Sequence, residues 1–363
     1  MKREIIKRVV LSVIIVAMVA MSVLMYLSGC SKGTSTENGE VRVYSLGDYI
    51  DPDLVGAFEK ETGIKVVLDT FDTNEEMYPV ISKGSVDYDV ICTSDYMIAR
   101  LISEGLLQEI DFGNVSNIEN IESKYMDMSK EFDPENKYSV PHTFGTLGIM
   151  YNTENIAEGE LSSWKDLWNE KYSQQIVMPD SMRDNYAIAL KALGYSINTM
   201  NEEELKAATE YMKEQKPLVY TYANDSARDL AIGGSADIAV VWSGEILYSQ
   251  EENESLEFVL PIEGTEYFID SWAIPAAAKN KENAEAWINY MLDGDTAVTN
   301  YEYLTYAIPN KAVIDMVSSD EKIMSYLFPE MLAVSASYNE SLKTLGPEGD
   351  DLYSQYWKEF KAE

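Results

Sequence analysis

The chain has 363 residues, of which 46% are hydrophobic, and 62 acidic against 28 basic side chains give it a formal charge of −34. This length is more than one hydrophobic core usually serves, so two domains or lobes are expected. The strong negative charge excludes nucleic acid as a partner, because binding to a phosphate backbone requires clustered Lys and Arg.

The first 30 residues carry the pattern of a bacterial lipoprotein signal. Four basic residues within positions 2–8 precede an apolar run over residues 9–27, and two small residues lead into Cys30. We expect residues 1–29 to be removed as a signal peptide, Cys30 to carry a lipid, and residues 30–40 to form a flexible tether. An uncleaved transmembrane helix is the alternative. The pattern predicts an extracytoplasmic protein, lipid-anchored to the cell membrane at a Gram-positive surface or on the periplasmic side.

Strand-like and helical segments alternate along the rest of the chain. Apolar and alternating runs predict strands over residues 41–44, 64–68, 88–92, 175–178 and 237–241. Helical periodicity predicts helices over residues 54–62, 74–82, 97–104, 183–193, 202–213, 284–292 and 352–360. This β-α-β rhythm is typical of a largely parallel sheet covered by helices. We therefore expect an α/β fold.

Signatures of enzymes and of metal sites are absent from the sequence. It has no Gly-rich phosphate loop and no nucleophile elbow, and His142 is its only histidine. Cys92 lies within a predicted buried strand, so we expect an unreactive thiol there. Carboxylate pairs such as Asp180 with Asp184 are explained as well by chance among so many acids as by acid–base catalysis. We predict a binding protein without catalytic residues, cofactor or metal.

Aromatic residues and carboxylates recur together after the predicted strands, where α/β sheets bind ligands. Such groups lie at residues 44–49, 94–96, 242–245 and 267–272. Aromatic faces attract an alkyl ammonium and cover its methylenes, while a carboxylate takes its charge. For any single aromatic, a place in the core is the commoner outcome, and we expect Asp95 to cap a helix. Asp270 is different because its apolar surroundings require a partner, either a ligand or an internal Lys or Arg.

Distinctive stretches are found at residues 44–52, 58–66, 88–90, 132–134, 138–141, 163–168, 193–196, 270–275 and 306–310. Together they resemble the bacterial spermidine/putrescine-binding proteins, the substrate-binding components of polyamine ABC importers. The resemblance extends over residues 41–360. It implies a two-lobed type II periplasmic-binding-protein fold with a hinge between the lobes, where the chain crosses near Gly148, Tyr267 and Met316. Lobe one would combine residues 41–147 with 269–314, and lobe two residues 148–266 with 317–363.

The same resemblance implies the site. Its ligand-binding residues would be Tyr49, Ser94, Tyr96, Asp184, Trp242, Phe268, Asp270 and Tyr306, with Asp48, Asp180 and Ser181 as further candidates. Trp242 would stack on the methylene chain, Asp270 would hold one amine and Asp184 the other. Leu46 and Phe268 replace tryptophans of the family, and Ser181 replaces an aspartate found in some members. These departures leave the choice between spermidine and putrescine open.

The implied function is that of a monomeric extracytoplasmic receptor that delivers a polyamine to ABC permease subunits in the membrane. A lipoprotein of the same fold that binds another small solute remains the alternative. That solute would be another amine, a sugar, an anion or ferric iron. Anion binding would require Arg or helix N-termini at the cleft, and iron binding would require paired tyrosines or His.

Overall fold

The computed structural model describes residues 38–47, 49–224, 226–329 and 339–362. The predicted signal peptide, the lipidation site Cys30 and most of the predicted tether lie outside the described residues. Across the ranges that are described, no helix is both long and apolar enough to cross a membrane. The first strand begins at Glu40, one residue before the predicted start of the folded part.

Within the described residues the chain forms eleven strands, thirteen α-helices and four short 3-10 helices. The strands are β1 Glu40–Leu46, β2 Lys65–Phe71, β3 Val90–Ser94, β4 Leu107–Gln108, β5 Ser139–Asn152, β6 Ile176–Met178, β7 Val219–Tyr222, β8 Ile238–Trp242, β9 Leu256–Val259, β10 Glu266–Pro275 and β11 Glu340–Ser341. The α-helices are Pro52–Thr62, Asn74–Lys83, Asp95–Ser103, Ser123–Ser129, Met182–Leu193, Glu202–Gln215, Ser226–Ile232, Glu245–Glu252, Lys281–Met291, Gly294–Leu304, Lys311–Val317, Glu321–Leu327 and Gly346–Ala362. The 3-10 helices are Ser116–Asn120, Trp164–Trp168, Glu170–Tyr172 and Lys216–Leu218. Every strand and helix predicted from the sequence is present, with ends displaced by at most six residues.

Capping residues fix the helix ends that matter for the site. The helix that follows β1 begins after Asp51, whose side chain accepts a hydrogen bond from the Asp53 amide at 2.9 Å. It ends at Gly63, which has a φ of 72° that glycine adopts without strain. The helix that follows β6 begins after Ser181, whose hydroxyl accepts from the Asp184 amide at 3.5 Å. This cap places Asp184 in the first helical turn.

The eleven strands form one continuous sheet, eight of them in the order β2-β1-β3-β10-β5-β8-β6-β7. Strands β4 and β11 pair with β10, and β9 pairs with β5. Pairing is parallel at both ends of this order, between β1 and its neighbours and between β6 and its neighbours. In the middle, β10 is antiparallel to β3 and β5, and β5 is antiparallel to β8. The expectation of a largely parallel sheet therefore holds only for the outer strands. A local β-α-β rhythm does not reveal strands that return from distant parts of the chain.

The longest strand, β5, has 14 residues and was not predicted, because it contains Pro141, Gly145 and Gly148. A β-bulge accommodates the proline: Asp270 pairs with Thr143 and the next residue of β10 pairs with Pro141. His142 is left as the extra residue of the bulge. All 14 residues are buried.

Strand β5 joins the two halves of the sheet. Its pairing with β10 ends at Thr146, and its pairing with β8 begins at the next residue, Leu147, opposite Trp242. Thr146 and Ser243 exchange two hydrogen bonds of 2.8 and 3.2 Å at this change of partner. We call the part built around β1, β2, β3 and β10 the first lobe, and the part built around β6 to β9 the second lobe. The predicted crossing at Gly148 lies one residue beyond Leu147, and the predicted lobe boundaries stay a prediction.

Candidate functional site

The candidate site lies where the two lobes meet, and Asp270 on β10 is at its centre. The strand register places Asp270 opposite Ser94 of β3 on one side and Thr143 of β5 on the other. Its side chain is only 2% exposed. The Tyr49 hydroxyl donates a hydrogen bond of 2.7 Å to Oδ2, whereas Oδ1 accepts no hydrogen bond. One oxygen of a buried carboxylate is therefore left for another donor.

The charge of Asp270 is not neutralised by a basic side chain of the described residues. None of the ion pairs among them includes it. Burial raises the pKa of Asp270 to about 6, and the nearby hydroxyls of Tyr49, Ser94 and Thr143 oppose that rise. Of the two kinds of partner expected for this carboxylate, an internal Lys or Arg is not found in the described part of the chain.

Four predicted aromatic residues form a continuous wall that leads from the second lobe to Asp270. The Trp242 ring meets Phe268 edge-on with centroids 5.0 Å apart, and Phe268 lies 6.3 Å from Tyr306. Tyr306 lies 6.3 Å from Tyr49, which bonds to Asp270. All four rings are half-buried. We call the region around these four residues, between the first and second lobes, the cleft.

Two glycines that the sequence did not single out make room for this wall. A Cβ atom on Gly145 would lie 2.5 Å from the Phe268 ring, and a Cβ on Gly244 would lie 2.2 Å from the Tyr306 ring. The Tyr306 hydroxyl donates to Glu245 at 2.6 Å, and Arg228 donates to the same carboxylate at 2.8 Å. The Tyr306 hydroxyl is thus fixed by a carboxylate that Arg228 itself holds in place.

Ser94 and Tyr96 are joined by a residue that the sequence did not indicate. The Asn74 amide nitrogen donates to Ser94 Oγ at 2.9 Å and to the Tyr96 hydroxyl at 3.0 Å, while its oxygen accepts from Thr93 at 2.5 Å. Asn74 is the first residue of its helix, a position where asparagine is common for local reasons. No sequence signal separates this residue from an ordinary helix start.

His142, the only histidine of the sequence, contacts the backbone of Tyr49. The bulge in β5 brings His142 Nε2 within 3.3 Å of the Tyr49 carbonyl oxygen and its ring within 4.5 Å of the Trp272 ring centroid. Burial lowers the pKa of His142 to about 4. At neutral pH the imidazole is therefore uncharged and orients the Tyr49 loop.

Asp184 lies in the first turn of the helix Met182–Leu193 of the second lobe. Burial raises its pKa to about 6, while Ser181 and Arg183 lower it. Glu75, on a helix of the first lobe, raises the pKa further by charge repulsion. Asp184 on the second lobe and Glu75 on the first lobe are therefore near enough to interact electrostatically.

Two more buried carboxylates lie close to these residues. Asp95 and Glu266 are 2% and 4% exposed, and burial raises the pKa of each well above its ordinary value. Asp95 accepts hydrogen bonds from the Tyr96 amide at 2.6 Å and the Ile269 amide at 3.4 Å. We call Asp95, Asp184, Glu266 and Asp270 the cleft carboxylates. No group of three or more potential ligands among the described residues is placed to hold a metal ion.

The further candidates have other contacts. Asp180 is exposed and its carboxylate pairs with Lys361 at 2.8 Å. Ser181 acts as the cap that positions Asp184. Asp48 lies outside the described residues. Strand pairing, hydrogen bonds and ring contacts therefore connect seven of the eight principal candidates, directly or through Asn74. Asp184 makes no such contact with them, and Asp180 is engaged at the surface. The role of these residues in ligand binding stays a prediction.

Comparisons with known proteins match this geometry. Residues 53–325 match the family described as bacterial extracellular solute-binding protein. The chain is 33% identical over 335 residues to the spermidine/putrescine-binding periplasmic protein of Salmonella typhimurium, covering 92% of this chain and 95% of that protein. It is 28% identical to the putrescine-binding periplasmic protein PotF of Escherichia coli, covering 93% and 95%.

A solved structure shows the same architecture. It is the spermidine/putrescine ABC transporter substrate-binding protein PotD of Streptococcus pneumoniae, in complex with calcium and HEPES. Its TM-score is 0.79 at 33% identity, and the match covers 89% of this chain and 99% of that one. The prediction of a two-lobed α/β periplasmic-binding fold is confirmed.

Proposed function

Because the chain belongs to the bacterial extracellular solute-binding proteins, and within them to the spermidine/putrescine-binding group, we propose that it binds a polyamine outside the cytoplasm and delivers it to an ABC import permease. The observation that carries the proposal is Asp270, a carboxylate 2% exposed whose Oδ1 has no hydrogen-bond donor. The names of the relatives support the same ligand class.

The chemistry of the cleft fits an alkyl polycation. An ammonium group beside Asp270 would donate a charge-assisted hydrogen bond to Oδ1 and so satisfy a buried oxygen. The half-buried rings of Trp242 and Phe268 would cover methylene groups, and Tyr306 would attract the cation through its ring. At the other end, Asp184 would take a second ammonium. Each chemical part of a polyamine has a counterpart.

The affinity required is modest. A micromolar dissociation constant corresponds to about 8 kcal/mol. A triamine has about ten heavy atoms, so each must contribute roughly 0.8 kcal/mol, which is inside the range of small compact ligands. Two charge contacts and one stacked ring supply this. Closure of the lobes about β5, where the strand changes partner between Thr146 and Leu147, would then enclose the ligand.

Anions fit the cleft poorly. Arg183, which precedes Asp184 in the chain, directs its guanidinium to the Lys343 carbonyl oxygen at 3.3 Å and to Asn198 at 3.1 Å. An anion would also face the charges of Asp184 and Asp270. A sugar, another amine and ferric iron are distinguished by the experiment below.

The test is titration calorimetry of residues 31–363 with putrescine, cadaverine, spermidine, spermine, glucose, sulfate and ferric citrate. We expect heat of binding from polyamines only. Asp270→Asn is expected to weaken polyamine binding by more than tenfold, because the variant removes the charge that the ammonium meets. Asp127→Asn removes an equal charge at an exposed surface pair and serves as the matched control. Equal affinities for wild type and Asp270→Asn would refute the role of Asp270, and binding of another solute alone would refute the function.

We further propose that the mature protein is a monomer held at the membrane by a lipid on Cys30. The signal pattern before this cysteine supports the anchor. In fractionated cells the wild type is expected with the membranes, and Cys30→Ser is expected in the soluble fraction or medium. An unchanged distribution of the variant, together with a wild type that incorporates no labelled fatty acid, would refute the lipid anchor.

A further inference from the structure

Glu266, the first residue of β10, is a buried carboxylate that neither the sequence analysis nor the proposed function uses. It is 4% exposed, and its Oε2 atom has no hydrogen-bond donor. No ion pair among the described residues includes it. Burying a carboxylate without a partner costs free energy, so Glu266 destabilises the folded state unless a ligand pairs with it.

The direction of Glu266 follows from the alternation of β10. Successive side chains of a strand point to opposite faces, so Glu266, Phe268 and Asp270 share one face. The bulge in this region adds its extra residue to β5 and leaves the alternation of β10 uninterrupted. Since Phe268 belongs to the aromatic wall and Asp270 to the site, Glu266 lies on the cleft side.

The charges around Glu266 add to its need for a cation. Asp184 and Asp95 both raise its pKa by repulsion, and Arg183 alone acts in the opposite sense. The Arg183 guanidinium is occupied elsewhere, by Lys343 and Asn198, and lies 5.0 Å from the Tyr353 ring centroid. The neighbouring acid on β11, Glu340, is paired with Lys191 at 2.6 Å. Glu266 is left without a compensating charge.

The separation of Glu266 from Asp270 sets the length of ligand that can use both. Four residues along a strand span about 13 Å. A butane diamine has five bonds between its nitrogens and reaches about 6 Å, whereas a triamine with nine bonds reaches about 11 Å. With a hydrogen bond of about 2.8 Å at each end, the triamine spans about 17 Å and the diamine about 12 Å, so the triamine contacts both carboxylates without requiring the two side chains to lean towards each other.

We propose that Glu266 and Asp184 together form a second anionic subsite, which holds the far ammonium of a triamine whose near ammonium is bound by Asp270. The inference rests on the proposed function and deepens it, because it makes Glu266 the residue that selects spermidine over putrescine. Phe268, between the two carboxylates on the same face, covers the methylenes that join the two ammonium groups.

The test compares spermidine and putrescine on the wild type, Glu266→Gln and Glu257→Gln by titration calorimetry. Glu257 is bound by Lys322 and Tyr326 outside the cleft, so its variant removes the same charge without changing the subsite. In Glu266→Gln we expect spermidine to bind at least tenfold more weakly and putrescine to change less than threefold. Glu257→Gln is expected to bind both like the wild type.

Each outcome separates the inference from the proposed function. Equal losses for the two ligands, or no loss for spermidine, would overturn the role of Glu266 and leave polyamine binding standing. A wild type that binds neither ligand would overturn both. Glu266→Asp keeps the charge and is expected to retain most of the preference for spermidine, which provides the same answer if Glu266→Gln fails to fold.

Discussion

Two sets of buried carboxylates in this protein differ in the number of hydrogen-bond donors that the fold supplies to their oxygens. In the first lobe, away from the cleft, Asp89 is fully buried and accepts hydrogen bonds from the backbone amides of Arg42, Lys279 and Asn280. In the cleft, Asp270 is almost equally buried, but only one of its oxygens has a donor. The first carboxylate is satisfied by the fold itself, and the second is not.

The number of hydrogen-bond donors around a buried carboxylate can therefore distinguish acids that stabilise the fold from acids that bind a ligand. A satisfied buried carboxylate ties distant segments together and stabilises the native state. An unsatisfied one destabilises the empty protein, and a ligand that supplies the missing donor recovers that free energy. Binding residues commonly carry this cost in stability. The predictions below test whether the two sets behave in opposite ways.

The largest expected effect concerns a satisfied acid. Asp133 is 1% exposed and accepts from the amides of Lys137, Tyr138 and Ser139 and from the Ser139 hydroxyl, at 2.8 to 3.1 Å. We expect Asp133→Asn to lower the free energy of unfolding by about 3 kcal/mol. The NH2 group of the asparagine would face N–H and O–H groups that are themselves donors, and it cannot accept their hydrogen bonds. Guanidinium unfolding at pH 7 measures this. An unchanged midpoint would remove Asp133 from the structural set.

For Asp270→Asn we expect the unfolding free energy to change in the opposite direction, towards greater stability. Its pKa in the folded protein is about 6, above the value of 3.8 for an exposed aspartate, so the folded state holds its proton more tightly. The stability contributed by that proton is present below pH 4 and lost as the pH rises through 6, at a cost of about 3 kcal/mol. Asp270→Asn should therefore raise the unfolding free energy of the ligand-free protein by about 1 to 3 kcal/mol at pH 7.

The pH dependence provides the control for this prediction. At pH 4 the wild type carries a protonated Asp270, so the gain from Asp270→Asn should largely vanish. A variant that is destabilised at pH 7, as Asp133→Asn is expected to be, would assign Asp270 to the structural set instead.

This contrast also explains what the sequence could reveal. Asp270 can be found from the sequence because its apolar neighbours imply burial, whereas Glu266 follows Gly264 and Thr265 and carries no such signal. Asn74, His142 and Gly244 could not be found in this way. Their roles depend on contacts with residues far along the chain, and on a bulge in β5 that no local pattern encodes. Helices and outer strands were predicted because local periodicity and capping determine them.

A third effect is expected on affinity rather than stability. Asp184 and Asp270 both have a pKa of about 6 in the empty cleft, so each must release a proton before it pairs with an ammonium below that pH. Spermidine affinity at pH 5 should be at least tenfold weaker than at pH 7. His142 does not contribute, since its pKa is about 4.

Calorimetry at constant ionic strength measures this dependence, because salt alone screens charged ligands. Asp270→Asn should show a shallower loss of affinity between pH 7 and 5 than the wild type. Affinity that is level across this range would mean that Asp184 and Asp270 are ionised throughout it, which contradicts a pKa of about 6 for each.

The smallest expected effect tests the aromatic wall. Gly244 lies under the Tyr306 ring, and the methyl group of Gly244→Ala would start 2.2 Å from that ring. The ring must shift, although its hydroxyl is held by Glu245. We expect spermidine affinity to fall severalfold, about 1 kcal/mol, through lost contact with the methylenes. Gly56→Ala is the control, since nothing lies within 4 Å of the added carbon in that helix. If Gly244→Ala binds as tightly as Gly56→Ala, the ring of Tyr306 contributes no ligand contact, and the free energy of binding comes from the carboxylates and from Trp242 and Phe268.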